Sequence, residues 1–197
     1  ARCEIRIPTQ KTDILFPCYE IIIEGLSGGH SGVEIDKGIH NSNILMGKLL
    51  KELPDDYNII SLNGGSKDNA IPARTLCEIS VKEDISAIIT NFKEENTNKE
   101  NPNLKISIKE IAPAKKGITK DNSKKIAEFL SSVPNGVQKM SKDIEGLVQT
   151  SLNLGILSTK EDEIFMSFSV RSSVNEEKTE LLSRLKTFAL DVGGSYG

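Results

Sequence analysis

Few residues of this chain are suited to binding a metal, because its 197 residues include only two histidines, His30 and His40. Neither histidine belongs to an HxH, HxxxH or HExxH spacing. A zinc site needs three or four His, Cys, Asp or Glu ligands at workable geometry, and the acidic residues here are mostly scattered singly. The sequence therefore predicts no metal site made by this chain alone.

Cysteine is also scarce, and the three present, Cys3, Cys18 and Cys77, form no CxxC pair. This odd number favours free thiols in a reducing compartment over a disulfide framework, so we expect a cytoplasmic protein. Cys77 lies in the apolar pattern Leu-Cys-Glu-Ile and is expected to be buried in the core rather than to act as a nucleophile.

Long apolar runs and concentrated basic charge are missing as well. No run approaches the roughly 20 residues that a membrane helix needs, so we predict no membrane partner. The net charge is −3 and only Lys115-Lys116 and Lys124-Lys125 form basic pairs, which argues against nucleic acid because phosphate binding needs clustered Lys and Arg. The chain has no signal peptide, begins at Ala1 without an initiator methionine and stops in a glycine-rich segment. We therefore expect it to be part of a longer polypeptide.

Hydrophobic periodicity predicts two successive α+β units without sequence identity between them. Strands are predicted at 19–25, 57–63, 74–82, 104–111, 147–158 and 164–171, and helices at 37–52, 84–95, 119–132 and 174–190. Two ferredoxin-like βαββα units suit a largely antiparallel sheet with helices on one face, and their sheets could merge edge to edge. We expect the units at 19–111 and 112–192, with 1–18 and 193–197 as connectors.

The segment at 25–32, Gly-Leu-Ser-Gly-Gly-His-Ser-Gly, lies between a predicted strand and a predicted helix. Glycine permits positive φ and close approach of another group, so His30 is expected on a compact, projecting loop. Such a histidine can donate a hydrogen bond to an oxyanion or a carboxylate, or it can be an ordinary surface residue. No GxSxG elbow accompanies the neighbouring Ser27 and Ser31, which disfavours a serine hydrolase.

Three further residues are candidates for binding. Asn69, in Gly-Gly-Ser-Lys-Asp-Asn-Ala-Ile-Pro at 64–72, can bond a ligand or cap a turn. Asn153 lies in the hydroxyl-rich run Val-Gln-Thr-Ser-Leu-Asn-Leu-Gly, which has the same two interpretations. Arg171 ends an apolar strand, where a guanidinium can bind a carboxylate bidentately or form a surface salt bridge.

These segments, in this order and together with Asn-Ser-Asn at 41–43 and Pro-Asn-Gly-Val at 134–137 followed by Met140-Ser141, resemble the middle of an aminoacyl-histidine dipeptidase. The resemblance covers about residues 19–192. That family belongs to the di-zinc metallopeptidases, which also include carnosinases and acyl-amino-acid hydrolases. The resemblance implies a lid domain, inserted between two parts of a catalytic domain that supplies all ligands of two zinc ions and the glutamate general base. In its doubled-lid branch the extra half resembles the lid of a partner subunit.

The resemblance also implies a role for each candidate residue. His30 would polarise the scissile carbonyl opposite zinc, Arg171 would hold the C-terminal carboxylate of a dipeptide, and Asn69 and Asn153 would contact the substrate. Glutamate is more usual where Gln149 stands, so no role is assigned to that side chain.

The implied full-length protein is a cytosolic metallodipeptidase that hydrolyses Xaa-His-type dipeptides and can associate as a homodimer, whereas this chain alone would be inactive. The alternative is a ferredoxin-like regulatory or oligomerisation module that binds a small anion or amino acid, with the glycine-rich segment as an anion site at a helix N-terminus.

Overall fold

Four helices and thirteen strands make up the computed structural model, which describes residues 1–197. The helices are α1 (Ser42–Glu52), α2 (Ser86–Asn96), α3 (Lys120–Ser132) and α4 (Asn175–Asp191). The strands are β1 (Arg2–Pro8), β2 (Lys11–Asp13), β3 (Cys18–Glu24), β4 (Gly29–His30), β5 (Tyr57–Gly64), β6 (Ala70–Ile71), β7 (Thr75–Val81), β8 (Lys105–Ile111), β9 (Lys116–Ile118), β10 (Gly136–Met140), β11 (Val148–Thr159), β12 (Glu163–Ser172) and β13 (Ser195–Tyr196).

Nine of the strands form one sheet in the order β13-β1-β12-β11-β5-β7-β3-β8, with β10 paired to β11 beside this path. The pairs β2–β9 and β4–β6 form two small ribbons. Every pairing is antiparallel. The predicted fold class, an α+β chain with a largely antiparallel sheet, is confirmed.

The strand order is symmetric about the junction of β11 and β5. On one side, β3, α1, β5, β7, α2 and β8 make a βαββαβ unit. On the other side, β1, α3, β11, β12, α4 and β13 occupy the corresponding places. The two units are joined where Leu157 of β11 pairs with Gly64 of β5. The first unit is therefore inserted into the second unit, after the second unit's first strand.

Residues 2–8, which we expected to belong to a connector, are thus a strand of the second unit. Cys3, Ile5 and Ile7 of β1 are buried in the core, and β1 pairs with both β12 and β13. Strand β13 brings residues 195–196 of the other expected connector into the same sheet. A link from these segments to a domain outside the chain stays a prediction.

A single core of 38 buried residues runs through both units, which makes them one packed body. Helices α1 and α3 lie very close at Gly47, where an added Cβ would stand only 2.3 Å from the Cβ of Leu130. Phe129 of α3 meets Phe188 of α4 edge to face, with ring centroids 6.3 Å apart. None of the four helices has the length and apolar content required to cross a membrane.

The predicted helices and strands agree with the structure to within a few residues, except at the start of α1. We predicted this helix from residue 37, but it begins at Ser42. Asn41 ends the preceding loop, because its Oδ1 accepts hydrogen bonds from the N–H groups of Asn43 and Ile44 at 3.0 and 3.2 Å. An asparagine at this position satisfies the first free N–H groups of a helix and so sets its start.

Candidate active site

The glycine-rich segment turns sharply and presents His30 on its outside. Gly28 and Gly29 have φ values of 63° and 144°, which residues with a side chain rarely adopt. Strand β4 then pairs with β6, and His30 stands opposite Ala70. The backbone of His30 is therefore fixed by the ribbon, while its side chain is exposed.

The backbone of Gly32 determines which ring nitrogen of His30 carries the proton. Its N–H donates to the His30 Nδ1 at 3.0 Å, and a ring nitrogen that accepts a hydrogen bond is unprotonated. In the neutral ring the proton consequently resides on Nε2. His30 thus offers an N–H donor on an exposed ring, which is the kind of group that stabilises a developing oxyanion.

Arg171 comes from the second unit and reaches the surface that carries His30. It lies near the end of β12, opposite Ser151 of β11, and its side chain is exposed. A Cβ added to Gly32 would stand 2.8 Å from the Arg171 Nη1 and 3.1 Å from the His30 Cε1. The guanidinium and the imidazole therefore both lie against Gly32. The surface salt bridge that was the other interpretation of Arg171 is not formed, because no carboxylate of the chain lies within ion-pair distance.

Asn69 is the turn residue directly before β6, the strand that pairs with β4 of the His30 loop. Its carbonyl oxygen accepts hydrogen bonds from the N–H of Ser31 at 2.9 Å and from the Oγ of Ser31 at 3.0 Å. The Asn69 side chain is exposed and makes no hydrogen bond within the chain. The structure thus places Asn69 beside His30 with its amide available to a ligand.

Asn153 occupies a different position from the other three predicted site residues, because it is buried beneath the site with 1% of its surface exposed. Its Nδ2 donates to the carbonyl oxygens of Asp68 and Ala70 at 3.2 and 2.7 Å. Its Oδ1 accepts a hydrogen bond from the Nδ2 of Asn41 at 3.0 Å. All polar atoms of this side chain are therefore engaged with the protein, and what they hold is the segment that carries Asn69.

Gly155 allows the same segment to cross directly over β11. A Cβ on Gly155 would stand 2.4 Å from both the Cα of Asp68 and the carbonyl oxygen of Lys67. Backbone cannot yield at such distances, so a side chain would push the 67–69 segment off the strand. In Asn-Leu-Gly at 153–155, Asn153 thus binds the 67–70 segment by hydrogen bonds, and Gly155 leaves the space that this segment occupies.

A buried polar cluster, made of Asn41, Ser42, Asn43 and Thr75, lies where α1 begins. The Thr75 Oγ1 makes hydrogen bonds to the Ser42 Oγ at 2.7 Å and to the Asn43 Oδ1 at 2.6 Å. Asn41 also donates to the carbonyl of Leu154 at 2.9 Å, which joins α1 to the second unit. Asn41 already accepts hydrogen bonds from the first N–H groups of α1. The regulatory alternative needs a free helix N-terminus beside the glycine-rich segment, and α1 does not offer one.

Sequence reasoning missed Glu177, whose carboxylate holds the strand end near Arg171. It forms an ion pair with Lys139 and accepts hydrogen bonds from the Gln149 Nε2 at 2.7 Å and the Thr150 Oγ1 at 2.5 Å. The bond from Lys139, followed by those from Thr150 and Gln149, lowers the pKa of Glu177 to about 2. Gln149 therefore has a partner inside the chain. The sequence alone did not single out Glu177, because glutamate is common in the first turn of a helix, where it interacts favourably with the helix dipole.

Neither a metal centre nor a deep cavity accompanies these residues. No group of three or more His, Cys, Asp or Glu side chains is arranged to hold a metal ion. One concave region of about 690 Å³ runs along α4 between Asn175 and Asp191 and includes none of the four predicted site residues. His30, Asn69 and Arg171 thus form an open surface rather than an enclosed pocket.

Comparison with known proteins finds similarity to dipeptidases, in sequence and in fold. The chain is 29% identical over 181 residues to the cytosol non-specific dipeptidase of Escherichia coli strain K12, which covers 86% of this chain and 37% of that protein. The chain thus spans little more than a third of the length of the curated relative that it matches. No protein-family model matches the chain.

Among solved structures, the aminoacylhistidine dipeptidase of Vibrio alginolyticus has the same fold, with a TM-score of 0.95 and 24% sequence identity. The match covers 100% of this chain and 42% of that one. An aminobenzoyl-glutamate utilization protein of Klebsiella pneumoniae gives a TM-score of only 0.35 at 12% identity over 66% of this chain and 36% of that one, too low to carry an argument. The resemblance to a segment of an aminoacyl-histidine dipeptidase, inferred from the sequence motifs, is confirmed by both dipeptidase matches.

Proposed function

We propose that this chain is the lid, or substrate-binding, domain of a cytosolic metallodipeptidase that hydrolyses Xaa-His-type dipeptides. Its similarity to dipeptidases two to three times its length is what such a domain would show. The observation that carries the proposal is the surface around Gly32, where the His30 imidazole of one unit and the Arg171 guanidinium of the other meet. Both side chains are exposed, and neither forms an ion pair with a carboxylate of the chain.

Each of these side chains has a defined task in the proposed reaction. The Nε2–H of His30 donates to the oxygen of the scissile carbonyl and stabilises it as negative charge develops. Arg171 binds the C-terminal carboxylate through two parallel N–H groups. The Asn69 amide binds a polar group of the substrate. Asn153 acts through the Asn69 segment and is therefore a positioning residue in this proposal.

The two zinc ions of the family are assigned to a catalytic domain outside this chain, because the residues here do not fit a zinc site. The chain has no cluster of ligands. Its two histidines are also engaged with backbone, the His30 Nδ1 with Gly32 and the His40 Nε2 with the carbonyl of Asn96 at 2.8 Å. The chain alone is accordingly expected to be inactive, and its partners are its own catalytic domain, the dipeptide and a second copy in a homodimer.

The first test replaces His30 by alanine in the full-length enzyme. Loss of one oxyanion donor costs about 2.7 to 4 kcal/mol of transition-state stabilisation. We expect kcat to fall by about a hundredfold or more with little change in KM and with unchanged metal content. His40→Ala is the matched control, because its ring bonds only the backbone of α2. A His30→Ala enzyme with near-normal kcat would contradict the proposal.

The second test compares Arg171→Lys with Arg171→Ala. If the guanidinium binds the substrate carboxylate as a fork, lysine should be nearly as harmful as alanine. Dipeptides with a free carboxylate should lose about 2 to 5 kcal/mol in kcat/KM, whereas amidated analogues, which lack that charge, should change little. An equal loss on both substrates would mean that Arg171 supports the fold instead.

A further inference from the structure

The carboxylate of Glu34 makes the closest charged contact with the His30 loop. Its Oε2 accepts the N–H of His30 at 2.8 Å, and the N–H of Glu34 donates to the carbonyl of His30 at 2.9 Å. Residues 30–34 are thus closed into a loop by reciprocal bonds between its two ends. A carboxylate that accepts a backbone N–H forms one of the stronger hydrogen bonds available to a loop.

The space for this carboxylate exists only because residue 29 is glycine. A Cβ on Gly29 would stand 2.0 Å from the Glu34 Oε2, and its φ of 144° is unfavourable for other residues. The motif Gly-Gly-His at 28–30 therefore has a second purpose besides its sharp turn. It clears the position from which Glu34 reaches the His30 amide.

Glu34 is held in its charged form at this position. The hydrogen bond from the His30 backbone, followed by the bond from Lys37, lowers the pKa of Glu34. The Lys37 Nζ lies 3.4 Å from the Glu34 Oε1, so one oxygen faces Lys37 while the other faces His30.

The closed loop also carries the group that orients the His30 ring. The N–H of Gly32, in the middle of residues 30–34, donates to the His30 Nδ1 at 3.0 Å. If the ends of the loop separate, this N–H moves relative to the ring. The ring can then rotate, and either nitrogen can carry the proton.

We propose that Glu34 is a positioning residue for His30: by clamping the loop at the His30 amide, its carboxylate keeps the Gly32 N–H on Nδ1 and so keeps the ring proton on Nε2. The catalytic consequence rests on the proposed function, in which that Nε2–H is the donor to the scissile carbonyl. The clamp itself is a statement about this loop alone.

The test uses the full-length enzyme with Glu34→Ala, Glu34→Gln and the control Asp36→Asn. Asp36 is an exposed acid of the same loop region and makes no hydrogen bond or ion pair within the chain. We expect Glu34→Ala to lower kcat by up to about a hundredfold, the loss that displacing a reacting group by about 1 Å can cause. KM, metal content and melting temperature should be near wild type. Glu34→Gln should recover most of the rate, since its amide oxygen accepts the same N–H, and Asp36→Asn should match wild type.

A spectroscopic measurement separates the clamp from catalysis. The ring nitrogens of His30 are observed by nitrogen-15 NMR of the full-length enzyme and are assigned by their loss in His30→Ala. In wild type, Nδ1 should show the shift of an unprotonated acceptor, and in Glu34→Ala the two nitrogens should move toward averaged values.

The outcomes distinguish the two proposals. An unchanged ring spectrum in Glu34→Ala, or a normal kcat in Glu34→Ala where His30→Ala is inactive, would overturn the role of Glu34 and leave the proposed function standing. A normal kcat in His30→Ala would overturn the proposed function, and the ring spectrum would still decide whether Glu34 holds the loop.

Discussion

Replacing the buried Asn153 by alanine tests whether this residue holds the Asn69 segment or contacts a ligand. The change removes the two bonds to the carbonyls of Asp68 and Ala70 and the bond from Asn41. A buried polar group left without a partner costs about 1 to 3 kcal/mol. The Asn41 amide keeps its bond to Leu154, and the two carbonyls belong to half-buried residues. We therefore expect the free energy of unfolding to fall by about 2 to 4 kcal/mol.

The measurement is urea denaturation of the chain followed by far-ultraviolet circular dichroism, since the chain has no tryptophan to report by fluorescence. Asn63→Ala is the control: Asn63 is exposed and its side chain accepts only the N–H of Thr159, at 2.9 Å, so the loss should stay near the average of about 1 kcal/mol. An Asn153→Ala chain within about 0.5 kcal/mol of wild type would falsify the reasoning, because that is the effect expected of an ordinary surface residue.

Three further predictions concern the rest of the chain. Because the pKa of Glu177 is lowered from 4.5 to about 2, its ionised form stabilises the fold fully above about pH 4.5; the stability difference between wild type and Glu177→Gln should shrink as pH falls from there to about 2, as followed by urea denaturation at several pH values. Gly47→Ala should cost about 1 to 3 kcal/mol of stability through overpacking against Leu130, and the better helix propensity of alanine should offset about 1 kcal/mol of that cost. A lower melting temperature than wild type would show the net loss. Burial raises the pKa of the Cys3 thiol to about 11 and raises that of Cys77 as well, so both thiols should react slowly with an aromatic disulfide reagent at pH 8 until urea unfolds the chain.

Local patterns were sufficient to predict most elements of the sheet and all four helices. Phe168 and Val170 alternate with polar residues, and Ile126, Phe129 and Leu130 recur at helical spacing, so each segment indicates its own secondary structure. The place of β1 could not be predicted in this way. Its partner β12 lies at the far end of the chain, and no local signal encodes that pairing.

The candidate site shows the same division between local and distant information. The glycines around His30 and the strand before Arg171 were readable, since special backbone conformations and strand ends leave a local pattern. That Arg171 would meet His30 at Gly32 depends on how the two units join. Asn153 was expected to contact substrate, a role that stays untested. Its burial could not be predicted, because the sequence pattern around a polar strand residue is the same whether its side chain faces a ligand or a backbone carbonyl.

The insertion of one unit into the other sets an order for folding during synthesis. The strands of the first unit are all present once residue 111 has been made, and they pair over shorter separations in sequence than β1 and β12 do, which favours their earlier formation. Strand β1 is made first but must wait for β12, whose last residue is Ser172. Until then Cys3, Ile5 and Ile7 of β1 remain without the strand they pack beside, and an unpaired apolar strand is prone to mispairing. Shielding residues 2–8 until β12 has been made should therefore raise the yield of folded protein.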